Sequence, residues 1–226
     1  MYEPSPLLSF AQDQLQILAL LFMASVYALK IRWILRFPAG RDFQAPHGTQ
    51  RTDATRGAQR SLLAIAMPWT MGSTREHPFL YAQFVIFHLG VAASIAMSFV
   101  IPYLPGLMRD RVVVIALQTL FLAAAAVGVA RLVRRLASPY LRAVSSPDDY
   151  FSIALLIVWL FLSFVAAPNR PQDSEIPLLT YFFLTAFFLV YVPFSKISHY
   201  IYYPFARWYL GRTLGHRGVY PLVRGV

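Results

Sequence analysis

Long apolar runs alternate with polar segments along the chain. Five runs are close to or above the length of about 20 residues that an α-helix needs to cross a bilayer. Two polar segments, 34–77 and 134–149, interrupt the runs, and a polar tail, 204–226, follows the last one. The pattern predicts an all-α protein: one domain, an integral membrane bundle of five transmembrane helices. The predicted helices span residues 7–33, 78–104, 112–133, 150–167 and 177–203.

Individual polar and proline residues refine these helices. Ser146, Pro147 and the two following aspartates predict a helix start, because serine caps, proline suits the first turn and acids oppose the positive helix end. Pro193 is expected to kink the fifth helix. The 34–77 segment is rich in proline and glycine in its first half. It is therefore expected to be mostly irregular, with a solvated His47 and a short interfacial helix over 61–67.

Composition narrows the class of protein. The chain is 58% hydrophobic and 13% charged, which is typical of a membrane protein rather than a soluble domain. Its net charge of +10 comes from basic residues that flank apolar runs, so nucleic-acid binding is not expected. There are no cysteines. The chain therefore cannot ligate an iron–sulfur cluster through cysteine, and any such cluster must belong to a partner subunit.

The distribution of Lys and Arg predicts the orientation in the membrane. Six of them lie in the 34–77 segment, three in 134–149 and four in the tail, whereas none precedes Lys30. Because basic residues concentrate on the cytoplasmic side, we expect the N-terminus outside and the C-terminus in the cytoplasm, with the protein in the cytoplasmic (inner) membrane.

Two histidines interrupt the apolar runs, His88 in the second and His199 in the fifth. An ionisable or metal-binding side chain at membrane depth costs free energy and marks a functional site by default. In antiparallel helices, His88 would lie about 15 Å and His199 about 6 Å from the same membrane surface. Haem iron asks the protein for only two axial ligands. We therefore predict that His88 and His199 hold iron from both faces of a haem, although each could instead be a hydrogen-bonded structural side chain.

The surroundings of the two histidines suggest supporting residues. A metal-bound imidazole usually donates its other N–H to an acceptor. The carbonyl of Phe84 is the expected acceptor for His88, and the Ser195 hydroxyl is the expected acceptor for His199. Candidates to neutralise haem propionates are Lys196, Arg142 and Arg207.

Three short motifs carry a family resemblance. They are Phe-His-Leu-Gly at 87–90, Arg-Arg-Leu-Ala-Ser-Pro at 134–139 and Pro-Phe-Ser-Lys-Ile-Ser-His at 193–199. With the five-helix topology, they resemble the gamma subunit of respiratory nitrate reductase. Related cytochromes serve sulfite reductase-linked, heterodisulfide reductase and hydrogenase complexes. The resemblance implies a membrane-anchor cytochrome b that exchanges electrons between quinone and an iron–sulfur subunit, docked with a catalytic subunit on the cytoplasmic face.

The sequence departs from that family at two ligand positions. The family has four haem-ligating histidines, of which the first on helix two matches His88 and the second on helix five matches His199. Ser98 and Tyr181 occupy the other two positions. We therefore expect one haem b per chain instead of two. A second pair, His77 with His216, is not expected because Pro78 and Pro204 separate these histidines from the membrane helices.

Several functional points stay open at this stage. With a single haem, the quinone site is expected near it, against an aromatic wall of helix five. The alternative is a non-redox membrane transporter or assembly protein with structural histidines. The partner enzyme and the direction of electron flow are not encoded in any motif. The predicted wall comprises Tyr181, Phe182, Phe183, Phe187 and Phe188.

Overall fold

The protein is helical throughout the residues that the computed structural model describes, which are 3–38, 40, 42–45, 52–70 and 72–220. Short 3₁₀ turns are the only other regular elements there. His47 lies outside the described residues. The α-helices are α1 (Pro6–Gln12), α2 (Gln14–Arg36), α3 (Ala54–Ala66), α4 (Gly72–Glu76), α5 (Pro78–Tyr103), α6 (Arg111–Ala137), α7 (Pro139–Ala143), α8 (Pro147–Ala166), α9 (Ile176–Tyr191) and α10 (His199–His216).

Five helical segments are long and apolar enough to cross a membrane, as the sequence predicts. The all-α class and the number of spans are thereby confirmed, and the chain is a multi-pass membrane protein. The segments are Pro6–Arg36, Pro78–Tyr103, Arg111–Ala137, Pro147–Ala166 and Ile176–Phe194.

The chain divides into two compact units, and each combines distant parts of the sequence. One unit comprises Met1–Leu29 and Tyr81–Ile197, and we call it the bundle unit. The other comprises Lys30–Leu80 and Ser198–Val226. We call it the basic unit, because twelve of the twenty Lys and Arg residues fall in these two ranges.

Polar contacts attach the N-terminal helices of the bundle unit to α9. Ser5 caps α1 by accepting a hydrogen bond from the Leu8 amide, and its own amide and hydroxyl donate to the Glu175 carboxylate at 2.7 and 2.5 Å. Further along, the Gln16 side chain donates to the Phe182 carbonyl at 2.8 Å. These bonds fix the first span against the fifth in an apolar setting, where packing alone gives little directional preference.

The fourth span begins where the sequence predicts. Ser146 and Asp149 form a reciprocal capping box, in which the Ser146 amide donates to the Asp149 carboxylate at 2.7 Å. Pro147 is the first residue of α8, where its missing N–H leaves no helical bond unmade.

The fifth span is shorter than the sequence predicts. Helix α9 ends at Tyr191 rather than Tyr203, and 3₁₀ turns at Val192–Phe194 and Lys196–Ser198 follow it. Pro193 supplies no backbone donor, and Ser195 is extended, with ψ of 170°. His199 consequently begins a separate helix, α10, and lies beyond the candidate span. Helix α10 continues to His216, so the described part of the predicted tail is largely helical.

The basic unit is built on the close approach of α3 and α10. Helix α3 is longer than the predicted 61–67 helix and begins after Asp53, whose side chain accepts from the Arg56 amide at 2.8 Å. A β-carbon at Gly57 would lie 2.3 Å from the Gly211 carbonyl oxygen, so only glycine allows this contact. The Asp53 amide also donates to the Gly215 carbonyl at 3.1 Å. The two backbones therefore touch directly.

Candidate functional site

The His88 imidazole is held in one orientation within the second span. It is half-buried, and its Nδ1 lies 2.8 Å from the Phe84 carbonyl oxygen one turn earlier. Because a carbonyl only accepts, Nδ1 carries the proton, and in the neutral ring the lone pair then lies on Nε2. The Phe84 ring also packs against the imidazole, with centroids 4.0 Å apart. The predicted orienting contact is confirmed, and in this tautomer only Nε2 carries the lone pair that a metal could accept.

His199 belongs to the basic unit, whereas His88 belongs to the bundle unit. It is the first residue of α10, and its side chain is exposed. Within the bundle unit, the Ser195 hydroxyl donates to the Val192 carbonyl at 3.1 Å and accepts from the Ile197 amide at 3.2 Å. These bonds make Ser195 part of the turn that ends the fifth span.

The two positions that lack histidine, Ser98 and Tyr181, meet in the middle of the bundle unit. The Tyr181 side chain is fully buried, and its hydroxyl donates to the Ser94 carbonyl at 2.6 Å. The Ser98 hydroxyl donates to the Ile95 carbonyl at 2.7 Å and also interacts with Tyr181. Both side chains are therefore engaged in packing, and neither fits the role of an axial haem ligand.

A network of hydrogen bonds continues from Tyr181 across three spans. The indole of Trp159 donates to Thr185 at 2.9 Å, and its ring stacks parallel to Tyr181 with centroids 6.5 Å apart. Ser94 and Ser163 share a hydrogen bond of 2.5 Å between their hydroxyls. We call Ser94, Trp159, Ser163, Tyr181 and Thr185 the polar core.

The predicted aromatic wall of the fifth span is divided between two environments. Tyr181, Phe182 and Phe188 are buried inside the bundle unit, so they are not a surface that a quinone can reach. Phe183 and Phe187 are 42% and 46% exposed. The difference follows from helical periodicity, because residues spaced three and four apart share a face of α9.

Of the three predicted propionate partners, Lys196 pairs with a carboxylate of the chain. Its ammonium lies 2.5 Å from Asp149, and its amide donates to Asp148 at 2.8 Å. The Arg207 guanidinium donates to the Ser61 carbonyl at 3.2 Å within the basic unit, and Arg142 is exposed. Lys196 thus holds the turn after the fifth span against the start of α8.

The structure adds one charged residue that the sequence analysis missed. Arg131 lies in α6, and its guanidinium carbon is 5.7 Å from the centre of the Phe87 ring, beside His88 in sequence. The available signal was an arginine near the end of the third apolar run, in which the sequence analysis names no candidate residue. Among the described residues, no three His, Asp or Glu side chains come together as a metal-ion site.

These features define a class: a five-span, all-α membrane protein with one oriented histidine in its second span and a polar core beside it. The chain is 25% identical over 204 residues to a protein of Nitratidesulfovibrio vulgaris (strain Hildenborough) described only as "Protein". The alignment covers 85% of this chain and 86% of that protein. No protein-family model matches the sequence, and no solved structure matches it.

Proposed function

We propose that this protein is the membrane-anchor cytochrome b subunit of a respiratory oxidoreductase complex. In this proposal, it exchanges electrons between the quinone pool and an iron–sulfur subunit, which is docked with a catalytic subunit on the cytoplasmic side of the inner membrane. One haem b is held per chain, with His88 and His199 as the axial ligands.

The orientation of His88 is the observation that supports this proposal most directly. The Nδ1 proton is donated to the backbone carbonyl of Phe84 at 2.8 Å, as the second nitrogen of a metal-bound imidazole usually is. That arrangement places the lone pair of the neutral ring on Nε2, so Nε2 is the atom proposed to ligate the iron.

Each group of the chain has a defined part in the proposed site. A bound haem supplies a one-electron carrier within the apolar bundle. Phe84 sets the tautomer of His88 through its carbonyl and limits the rotation of the imidazole through its ring. The polar core supports the count of one haem, because Ser98 and Tyr181 already bond to backbone carbonyls of the second span.

Haem extracted per mole of purified chain tests the proposal, after any haem of partner subunits is subtracted. The wild type is expected to contain about one b haem, in keeping with one pair of axial histidines. His88→Ala and His199→Ala should each lose it, together with the sharp absorption band of the reduced form. His77→Ala is the matched control, since His77 is exposed and precedes α5. Full haem content in His88→Ala would overturn the ligand assignment.

The quinone is proposed to approach the bundle unit along the exposed side of α9. The exposed Phe187 ring stacks on Tyr191 with centroids 5.8 Å apart, and the Tyr191 hydroxyl donates to Asp148. An aromatic surface that leads to a carboxylate suits a ligand that carries both a flat ring and a transferable proton. Photo-crosslinking with an azidoquinone should label α9, and labelling that is unchanged by Phe187→Ala would remove this surface from the proposal.

The basic segments 34–77 and 134–149 and the tail are proposed to face the cytoplasm and to provide the partner's docking surface. Their Lys and Arg content supports that orientation. Co-purification identifies the partner. Labelling of a cysteine introduced at Val219 by a membrane-impermeant reagent added to intact cells would contradict the orientation.

A further inference from the structure

Arg131 is a cation near the end of an apolar span, without a carboxylate partner in the described part of the chain. There, the ion pairs join aspartates to Arg135, Lys196 and Arg217, and none includes Arg131. Its guanidinium is half-buried and faces the ring of Phe87. An arginine in a membrane span almost always pairs with an anion or reaches the interface, and among the described residues Arg131 has no carboxylate partner.

Packing against Phe87 fixes the position of the Arg131 side chain. Phe87 is 8% exposed and packs beside Gly128, one turn before Arg131, where an added β-carbon would lie 3.1 Å from the Phe87 ring. The ring therefore lies against the α6 backbone and beneath the guanidinium. A cation over an aromatic face is also attracted to it. The guanidinium is consequently held at the level of Phe87 rather than swinging freely.

This level is also that of the proposed haem ligand. His88 follows Phe87 directly, and their ring centroids are 6.1 Å apart. Arg131 lies about 9 Å before the end of α6 at 1.5 Å per residue, near the edge of the hydrocarbon layer. The carboxylates of a ligand bound at His88 would therefore lie within reach of the Arg131 guanidinium.

We infer that Arg131 binds a carboxylate of the haem held at His88, that is, a propionate. The inference rests on the proposed function and extends it, because it assigns the anion-binding side chain. Arginine is suited to the role since its planar fork can donate two parallel hydrogen bonds to one carboxylate. A fixed cation there also favours the reduced haem, which carries one less positive charge.

The test compares Arg131→Gln with Arg134→Gln in the purified chain with its native partners. Arg134 is exposed on the same helix, so its substitution removes the same charge without touching Phe87. Arg131→Gln is expected to keep its haem and to lower the haem's midpoint potential by about 59 mV. For a one-electron couple, this shift is a tenfold change in the reduction equilibrium constant. Arg134→Gln should shift it by a small fraction of that. Equal shifts in the two variants would overturn the inference.

Two further readouts separate this inference from its rivals. If Arg131→Gln does not accumulate, Arg131→Lys replaces it as the test, because lysine keeps the charge but lacks the planar guanidinium. A midpoint potential below that of Arg134→Lys supports the propionate contact. A midpoint potential equal to that of Arg134→Lys overturns it. If Arg131→Gln loses a co-purifying anionic phospholipid while its potential is unchanged, the anion is a lipid phosphate. Absence of b haem from the wild type would instead show that the proposed function itself fails.

Discussion

The bundle unit and the basic unit differ in net charge. The bundle unit carries eight Lys and Arg residues against seven Asp and Glu, a net charge of +1, whereas the basic unit carries twelve against three, a net charge of +9. Nearly all of the protein's net charge therefore belongs to the basic unit. In the bundle unit the opposite charges nearly balance, and Asp149 pairs with both Lys196 and Arg135.

The two units also differ in how their helices are joined. In the bundle unit, side chains bridge the helices, and Tyr181, Trp159 and Gln16 each donate to a group on another helix. In the basic unit, glycines bring the α3 and α10 backbones into direct contact. Buried side-chain hydrogen bonds thus orient helices of the bundle unit, and direct backbone contact orients α3 against α10.

Tyr181→Ala should have the largest effect, and it tests the role of the polar core. Removing this fully buried ring leaves a cavity beside Trp159 and removes the hydroxyl bond to the Ser94 carbonyl, so we expect a loss of about 3 kcal/mol in the unfolding free energy. Denaturant titration in detergent measures it. Tyr181→Phe keeps the ring and should cost about 1 kcal/mol or less. If the two variants were equally stable, the packing around Tyr181 would not support the bundle unit.

Gly57→Ala should weaken the basic unit alone, by about 1–3 kcal/mol. The new methyl group would meet the Gly211 carbonyl oxygen and Gly215 Cα at 2.3 and 2.7 Å, and backbone atoms cannot move aside as a flexible side chain can. Trypsin should then cleave sooner after the exposed Arg56 and Arg60. Gly106→Ala is the control, because no atom lies within 4 Å of its added β-carbon. Equal cleavage rates in the two variants would contradict a backbone contact.

The smallest effect concerns the ion pair between Asp42 and Arg217 in the basic unit. The guanidinium donates to the carboxylate at 2.6 and 3.0 Å, and this hydrogen bonding lowers the pKa of Asp42 below its ordinary value. Because the folded pKa is depressed, the stabilisation is present above the unfolded pKa of about 3.9 and is lost as the pH falls through the folded value. Asp42→Asn should remove this pH-dependent contribution to the stability of the basic unit.

Hydrogen exchange of the peptide that ends α10 measures it as the pH is lowered from 6 to 2, after correction for the intrinsic exchange rate. The pair lies near the surface, so the change should be modest and should shrink in high salt. An identical pH profile for the wild type and Asp42→Asn would show that the pair does not stabilise the basic unit.

The sequence was a good guide to the spans and a poor one to the end of the fifth. Length and hydropathy fix the existence of a membrane helix, and the carbonyl one turn before His88 could be named from helix geometry alone. Pro193 predicted a kink, but the apolar and aromatic composition continues past Ser195, so the sequence did not show that the span ends there. The pairing of α3 with α10 could not be predicted from the sequence. Gly57 and Gly211 are far apart in sequence, and an isolated glycine more often indicates a loop than a helix contact.

The origin of the α3–α10 contact from the two ends of the chain has a consequence for biosynthesis. Helix α3 is translated between the first and second spans, yet its glycine face is matched only by a helix translated after the fifth. The ribosome must therefore deliver four further spans to the membrane before α3 can dock. A chain truncated before α10 would keep α3 unmatched and open to proteases. Completion of the basic unit thus requires synthesis of the chain as far as α10.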